Sequence, residues 1–426
     1  MSGRQRVLVL NAGGVPDRKT TRFELPFKED AELTSYRDVN TGDTLVLDSI
    51  LTILKASEFK SAQFGQDLTS LLNDWGQPDI AVVRGSNYIH ESYEPESFIP
   101  ALETLKCPIV SIGVGAQAPT FKPLKLSNGM IRFLHFLRDR SHSIGVRGTY
   151  TAEVLESVGV KSSFPIGCPS FFRSLSPSIH MKPLPKDRIR IGASFNRFLG
   201  SYYCSNFVKT YLLQAELMKN ILARHDSSIY WQGEKEELYF ARHPEAETII
   251  DKVLGRYEIA ATEESRREFH RKLKVYTEIS GWSQHIRENC DAMIGFRLHG
   301  NVMGLNQGIP SLMYSYDSRT RELANFFSLP VAEVEDFAQP DPEQLFLEAD
   351  FTHFETTYAA NYQSLLQFLE SNGLEHNLTP MEAPSSAPRK CLRVGEPSKE
   401  WLKLKLDHTA KMYNDLLEHH LRIRDR

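Results

Sequence analysis

The sequence lacks any apolar run near the roughly 18 residues that a bilayer-crossing helix needs. Its first apolar run, Val7 to Leu10, also falls short of the about 7–15 residues of a secretory signal core. The chain is therefore expected to be cytoplasmic. Cysteine is scarce: five in 426 residues (Cys107, Cys168, Cys204, Cys290 and Cys391), none in a CxxC pair. That excludes a zinc ribbon and a dithiol redox site and leaves buried free thiols as the expectation. Neither sign of charge dominates. Lys plus Arg number 50 and Asp plus Glu 54, so no general positive field exists to hold nucleic acid. With 25 Gly and 22 Pro the chain is neither fibrous nor disordered by composition. There is no P-loop, no GxSxG elbow and no HExxH. No carboxylate pair has the look of a glycosidase dyad, and no DxD-like pair closes a strand, so no metal and no resident cofactor are expected.

What is present is an alternation of short apolar strands and helices, which predicts parallel sheets flanked by helices. Strands are read at residues 6–10, 79–83, 108–112, 143–146 and 163–165, with a helix from Thr44 to Phe59 between the first two. Further helices are read at residues 128–140 and 149–157. The alternation pauses at Leu175 to Lys186, which carries Pro177, Pro183 and Pro185 and reads as a linker. It restarts with strands at 188–194, 228–232, 291–295 and 310–314. Helices follow at 207–224, 282–289 and 300–307, and residues 263–274 read as a charged, solvated helix face. The expected fold is α/β, two Rossmann-like domains facing across a cleft. The expected boundaries are 1–180, 187–375 and a tail of 376–426 that packs back on the first domain. Within the tail, Thr379 to Pro388 reads as a connector and Ser398 to Leu421 as a helix. The basic surplus of that tail leaves a peripheral membrane-surface contact open. A homo-oligomer also stays open.

The densest chemical signal is Asp291-Ala292-Met293-Ile294-Gly295-Phe296-Arg297-Leu298-His299-Gly300-Asn301. Arg297 and His299 stand at i and i+2, which share one face in extended chain. Gly300 suits a sharp strand-to-helix turn, and the helix N-terminus adds N–H groups and a positive dipole end. An anion bound beside a proton donor is the chemistry these features share. A structural Arg–carboxylate pair and a satisfied His are the plain alternative. Just downstream, Ser315-Tyr316-Asp317-Ser318-Arg319-Thr320-Arg321 offers a second guanidinium, Arg319 or Arg321, at another strand end. Arg147 stands between a strand and a helix. Asn40-Thr41-Gly42-Asp43 opens a helix with Asp43 as its cap. The lean loop Gly113-Val114-Gly115-Ala116-Gln117 is not a dinucleotide fingerprint.

The Phe296–Asn301 block, followed by Ser315–Arg319 and Glu322-Leu323-Ala324, resembles the signature of the polysaccharide pyruvyl transferase family. Other elements of that family appear in order. Asn40-Thr41-Gly42-Asp43 is similar to its N-x-G-D, and Arg84-Gly85-Ser86-Asn87 to its G-G-N strand end. Gly113–Gln117 is similar to its G-x-G-A-Q, Val146-Arg147 to its V-R-D, and Gly167-Cys168-Pro169-Ser170-Phe171 to its G-D-P-A-F. The resemblance spans about Asn40 to Pro330. Gly148 and Cys168 stand where the family has carboxylates.

The resemblance implies a GT-B-like fold and transfer of pyruvate from phosphoenolpyruvate to a sugar hydroxyl pair, as a ketal, in surface polysaccharide biosynthesis. It implies phosphoenolpyruvate as donor substrate, held by Arg147, Arg297, Arg319 or Arg321 and the Gly300 turn. His299 would move the proton, with Arg297 beside it, and Asp43 would act as base or acceptor contact. Asn40, Asn87, Gln117, Trp231 and Glu234 would meet a nucleotide- or lipid-linked sugar acceptor. Such an enzyme would work in the cytoplasm, at or near the inner face of the membrane. Two other readings remain: a GT-B sugar-nucleotide glycosyltransferase, and a non-catalytic sugar- or anion-binding homologue.

Overall fold

The structure is a computed structural model that describes residues 5–12, 32–36, 38–196, 203–334, 341–380 and 392–393. The turn at Gly13-Gly14, most of the connector after Thr379, the terminal helix and Cys391 lie outside the described residues.

The first half is built on parallel strands β1 (Gln5–Leu10), β2 (Ala56–Ala62), β3 (Ile80–Arg84) and β4 (Ile109–Ile112), in the order β2-β1-β3-β4. A bridge from Val114 to Val146 continues this sheet to the parallel pair β5 (Ile144–Val146) and β6 (Ser163–Pro165). The second half has β7 (Ile191–Ser194), β8 (Ser227–Tyr230), β9 (Leu273–Lys274), β10 (Ala292–Gly295), β11 (Ser311–Ser315), β12 (Pro330–Glu333) and β13 (Leu392–Arg393). Their order is β13-β12-β11-β10-β7-β8-β9, and every pair is parallel. The fold is thus α/β and GT-B-like, two parallel sheets meeting across a cleft. In each sheet the order reverses beside its first strand, between β1 and β3 and between β7 and β10. Ligands in such sheets sit at the carboxyl ends beside the reversal.

The expected helix from Thr44 to Phe59 is corrected at both ends. It runs Thr41–Ile53, because Asn40 is the cap, its side chain accepting from the Gly42 amide at 3.1 Å. Residues after Leu54 leave it to form β2. That strand is an edge of the sheet and half-exposed, so its sequence, Ala-Ser-Glu-Phe-Lys-Ser-Ala, carries no clean apolar alternation. The charged helix read to residue 274 stops at Lys272, and Leu273-Lys274 pair with β8 instead. Cys107, Cys168, Cys204 and Cys290 are buried free thiols.

One hydrophobic cluster joins the two halves. It runs from Val7 and Val9 on β1 through Leu47 and Ile50 of the helix Thr41–Ile53 to Ile191, Met293 and Leu312 of the second sheet. A second cluster, around Leu8, Val83 and Phe133, fills the other face of the first sheet. The joint is tightest where the Pro169–Phe172 turn meets the helix Ser318–Phe327. There Phe171 stacks on Phe327 with ring centroids 3.9 Å apart. The long helix Thr352–Ser371 carries the chain back over this joint. Tyr358 donates to Phe171 O at 3.0 Å, and Asn372 accepts from the Ser143 amide at 3.2 Å.

Phe327 is fully buried at that joint. Phe327→Ala is expected to lower unfolding free energy by about 3–5 kcal/mol, the cost of emptying an aromatic site in a packed core. Denaturant titration followed by circular dichroism measures it; a loss below about 1 kcal/mol would mean that the joint does not depend on this ring.

Candidate active site

The strand ends of both halves open on one cavity of about 340 Å³. From the first half come Asn40 and Asp43 at the start of the helix after β1, Asn87 after β3, Gln117 after β4 and Arg147 after β5. From the second come Gln232 after β8, Arg297 and His299 after β10, and Tyr316 and Arg319 after β11.

Three hydrogen-bonded contacts clasp the halves around this cavity. Gln117 Nε2 donates to Asp317 Oδ2 at 3.1 Å, and beside it Ala118 and Ser318 exchange two bonds of 2.9 Å. The Val39 amide donates to Gly233 O at 2.9 Å and the Thr41 amide to Gln232 O at 3.3 Å. Thr151 donates its amide (2.7 Å) and its hydroxyl (2.8 Å) to the Glu322 carboxylate. That carboxylate comes from the second half and fills the space over Gly148, where an added Cβ would come within 2.6 Å of Glu322 Cγ. A carboxylate therefore reaches this region from across the cleft. Burial pushes the Glu322 pKa up to about 7, although the Thr151 bonds and Arg147 work the other way.

Four arginines surround the site, and their partners differ. Arg84, at the end of β3, donates to Asp43 Oδ1 at 3.0 Å. Arg297 pairs with Glu234, and Arg319 with Asp317 at 3.4 Å. Arg147 has no carboxylate partner among the described residues. It is 3 % exposed and donates to Gly113 O at 3.1 Å, to Asn87 Oδ1 and, at 3.9 Å, to the Cys168 sulfur. Burial lowers its pKa; Cys168 counters this and Arg319 adds to it. A guanidinium keeps its charge in a protein. A buried cation without a counter-charge is costly, so this is where an anionic ligand gains most.

His299 stands beside it. Its Nε2 is 3.8 Å from Cys168 Sγ, which also accepts from Ser170 Oγ at 3.1 Å. The ring lies against Gly42, where an added Cβ would collide with Nδ1. Burial first, then the charges of Arg147, Arg319, Arg84 and Arg297, hold the His299 pKa well below the ordinary imidazole value. The sequence expectation of an imidazole titrating near neutrality is corrected accordingly.

Other expectations change too. Arg297 and His299 do face one cavity, but not by strand alternation. Arg297 is the extended residue before the helix Leu298–Asn306, and His299 is already in its first turn. Gly300 is helical and makes no sharp turn; it is small because a Cβ there would collide with Gln232 Nε2 and crowd Ser194. Arg321 leaves the cavity for Glu333, at 2.8 Å. Asp43 is not the helix cap but sits in the first turn, fixed by Arg84. Trp231 is buried away from the cavity with its Nε1 donating to Glu234 O at 2.6 Å, and Glu234 is spent on Arg297. Sequence reasoning missed the roles of Arg84 and Glu322, and in the run Trp231–Glu234 it singled out Trp231 and Glu234 and not Gln232, the one of the three that lines the cavity. The strand-end position of Arg84 and Gln232 was the available signal; the cross-cleft reach of Glu322 left none.

Among the described residues, no group of three or more His, Cys, Asp or Glu side chains is placed to hold a metal ion. No helix among them is long and apolar enough to cross a membrane.

No curated protein matches the sequence as a relative. The chain is similar to several solved structures. One is S. aureus MnaA with UDP, at 9 % identity and a TM-score of 0.41, covering 90 % of this chain and 100 % of that one. A second is a glycosyltransferase from Rickettsia africae, at 11 % identity and 0.35, covering 86 % and 94 %. A third is a family 9 glycosyl transferase from Veillonella parvula, at 9 % and 0.31, covering 86 % and 96 %. Across residues 22–318, a span that holds Arg147, His299 and the neighbouring strand ends, the sequence matches the model of one family, and by that match the chain belongs to the polysaccharide pyruvyl transferases.

Proposed function

We propose that the protein transfers pyruvate from phosphoenolpyruvate to a pair of sugar hydroxyls as a cyclic ketal. The observation that carries this reading is the buried Arg147, without a carboxylate partner among the described residues, in the same cavity as Arg297, Arg319 and His299. Phosphoenolpyruvate brings a carboxylate and a phosphate on one small frame. Guanidinium groups match both by paired N–H donation. The donor therefore supplies the counter-charge that Arg147 lacks, with Arg297 and Arg319 placed to share it.

The proton arrives with the donor. Burial, and then the charges of the four arginines, hold the proton affinity of His299 low. The anionic donor cancels part of that field and raises the proton affinity of the imidazole. His299 then gives its proton to the methylene carbon, and the central carbon becomes oxocarbenium-like, stabilised by the adjacent carboxylate. One sugar oxygen bonds to that carbon and its hydroxyl proton passes to a base. Asp43, fixed by Arg84 on the cavity wall, suits that role. The second hydroxyl bonds to the same carbon as the carbon–oxygen bond to phosphate breaks; phosphate leaves with the electron pair and takes up that hydroxyl's proton. Arg147 and its neighbours stabilise the departing charge. Asn40, Asn87 and Gln117, on the cavity wall, are placed to meet the sugar. The steps call on side chains of this chain alone. Incubation with phosphoenolpyruvate and a panel of nucleotide-linked and p-nitrophenyl hexoses tests the reading. Phosphate release with a mass gain of one pyruvate ketal supports it. Saturation by a nucleotide sugar as donor would replace it with glycosyl transfer, and ligand binding without turnover with a non-catalytic role.

His299→Ala is expected to cut phosphate release by about 10²–10⁴-fold, the range for loss of a general acid, with an unchanged circular dichroism spectrum. Near-normal release would remove His299 from the chemistry. Arg147→Lys keeps the charge but loses the planar fork. It should raise the KM for phosphoenolpyruvate by about tenfold or more in steady-state assays.

A proton linkage follows from the depressed pKa of His299. Binding of phosphoenolpyruvate near pH 7 should take up protons, and affinity should strengthen as pH falls through the imidazole pKa of the complex toward that of the free site. Calorimetry in buffers of different ionisation enthalpy reads the uptake. His299→Gln should take up measurably less; equal uptake would show that the proton goes to the donor phosphate alone.

A further inference from the structure

Gln232 closes β8 at the carboxyl end and lines the cavity. Its backbone is fixed twice over. Its carbonyl accepts from the Thr41 amide, and the next residue, Gly233, accepts from Val39 while holding φ at +133°, with Val39 O too close for any Cβ. The residue is 1 % exposed, yet neither the oxygen nor the nitrogen of its side-chain amide has a hydrogen-bond partner among the described residues. Buried amides are nearly always paired, and an unpaired one costs stability. The amide lies against Gly300, one residue beyond His299, in the place that a side chain there would take.

We propose that Gln232 reads a hydroxyl of the sugar acceptor and sets it beside His299. This rests on the pyruvyl-transfer reading and extends it to the acceptor. The chemistry of the two substrates makes the assignment. The ionised form of phosphoenolpyruvate offers only hydrogen-bond acceptors, so it leaves the Gln232 carbonyl oxygen unpaired. A sugar hydroxyl is donor and acceptor at once and satisfies both ends of an amide, singly or as a neighbouring pair. The arginines that face the donor have no acceptor atom to offer a hydroxyl. Gln232 does, and a hydroxyl that donates to it turns its lone pairs outward, toward the reacting carbon.

Gln232→Leu and Gln232→Met, two apolar replacements of similar size, test this with two readouts. The first uses phosphoenolpyruvate and whichever hexose of the panel above gives most phosphate with the wild type. The KM for that sugar should rise about tenfold or more, the loss expected when a hydroxyl partner is removed, while the KM for phosphoenolpyruvate stays within about twofold. The second readout is the thermal unfolding midpoint without substrates. It should stay level or rise, because an unpaired amide has been replaced by an apolar group. A lower midpoint in both variants would show that the amide is paired within the fold, through a buried water, and would overturn the proposal. So would an unchanged sugar KM. If the wild type itself releases no phosphate with any sugar, the parent reading fails, and the acceptor assignment falls with it.

Discussion

The constraint on which the site depends is a buried guanidinium that has, among the described residues, no carboxylate partner. Arg147 is held by a backbone carbonyl, an amide oxygen and, more distantly, a sulfur, none of them a carboxylate. The nearby arginines are matched one by one, Arg84 with Asp43, Arg297 with Glu234 and Arg319 with Asp317. An evenly compensated cluster would have little electrostatic reason to bind an anion. The imbalance at Arg147 gives it one, and low dielectric around a 3 %-exposed side chain makes the imbalance count.

The fold keeps that imbalance in place. A buried cation would be relieved if the cleft opened and water entered. The clasps at Gln117–Asp317, Val39–Gly233 and Thr151–Glu322 oppose this by stitching strand ends of one half to those of the other. Behind them the Phe171–Phe327 stack and the returning helix Thr352–Ser371 seal the joint with apolar contact. Glycine has a specific part here. Gly42 lets the His299 ring lie on the first turn of a helix from the other half, and Gly300 leaves room for Gln232. The N-x-G-D and R-L-H-G elements are thus two sides of one contact, not separate binding motifs.

Much of this was legible in the sequence, for a physical reason. Parallel strands buried on both faces are continuous apolar runs, and their carboxyl ends are marked by glycine and polar residues. That is why β3, β4, β5, β10 and β11, and with them Arg147, Arg297 and His299, could be found from the chain alone. The edge strand β2 was read as helix because one exposed face and an outer position leave no strong pattern. The side-chain directions at strand ends were beyond such reasoning. Trp231, Gln232 and Glu234 lie within one short stretch, yet only Gln232 turns to the cavity. Arg321 follows Arg319 by two residues in a helix, which sends it toward Glu333. Pairing across the cleft, as between Thr151 and Glu322, depends on how two distant segments meet and has no local signature.

The absent carboxylates at Gly148 and Cys168 take on a different meaning once the space around them is seen. Gly148 leaves the space that Glu322 fills, so a carboxylate of the other half stands near Arg147 although position 148 supplies none. Burial raises its pKa, so it opposes Arg147 less than an exposed carboxylate would. It therefore softens the field of Arg147 without cancelling it. Cys168 sets a sulfur between Arg147 and His299, in place of the aspartate that the family pattern carries there. An aspartate there would favour the protonated imidazole. Without one, burial and then the surrounding arginines disfavour it. The two departures act in one direction: neither position adds a carboxylate of its own to the field of the arginines around His299.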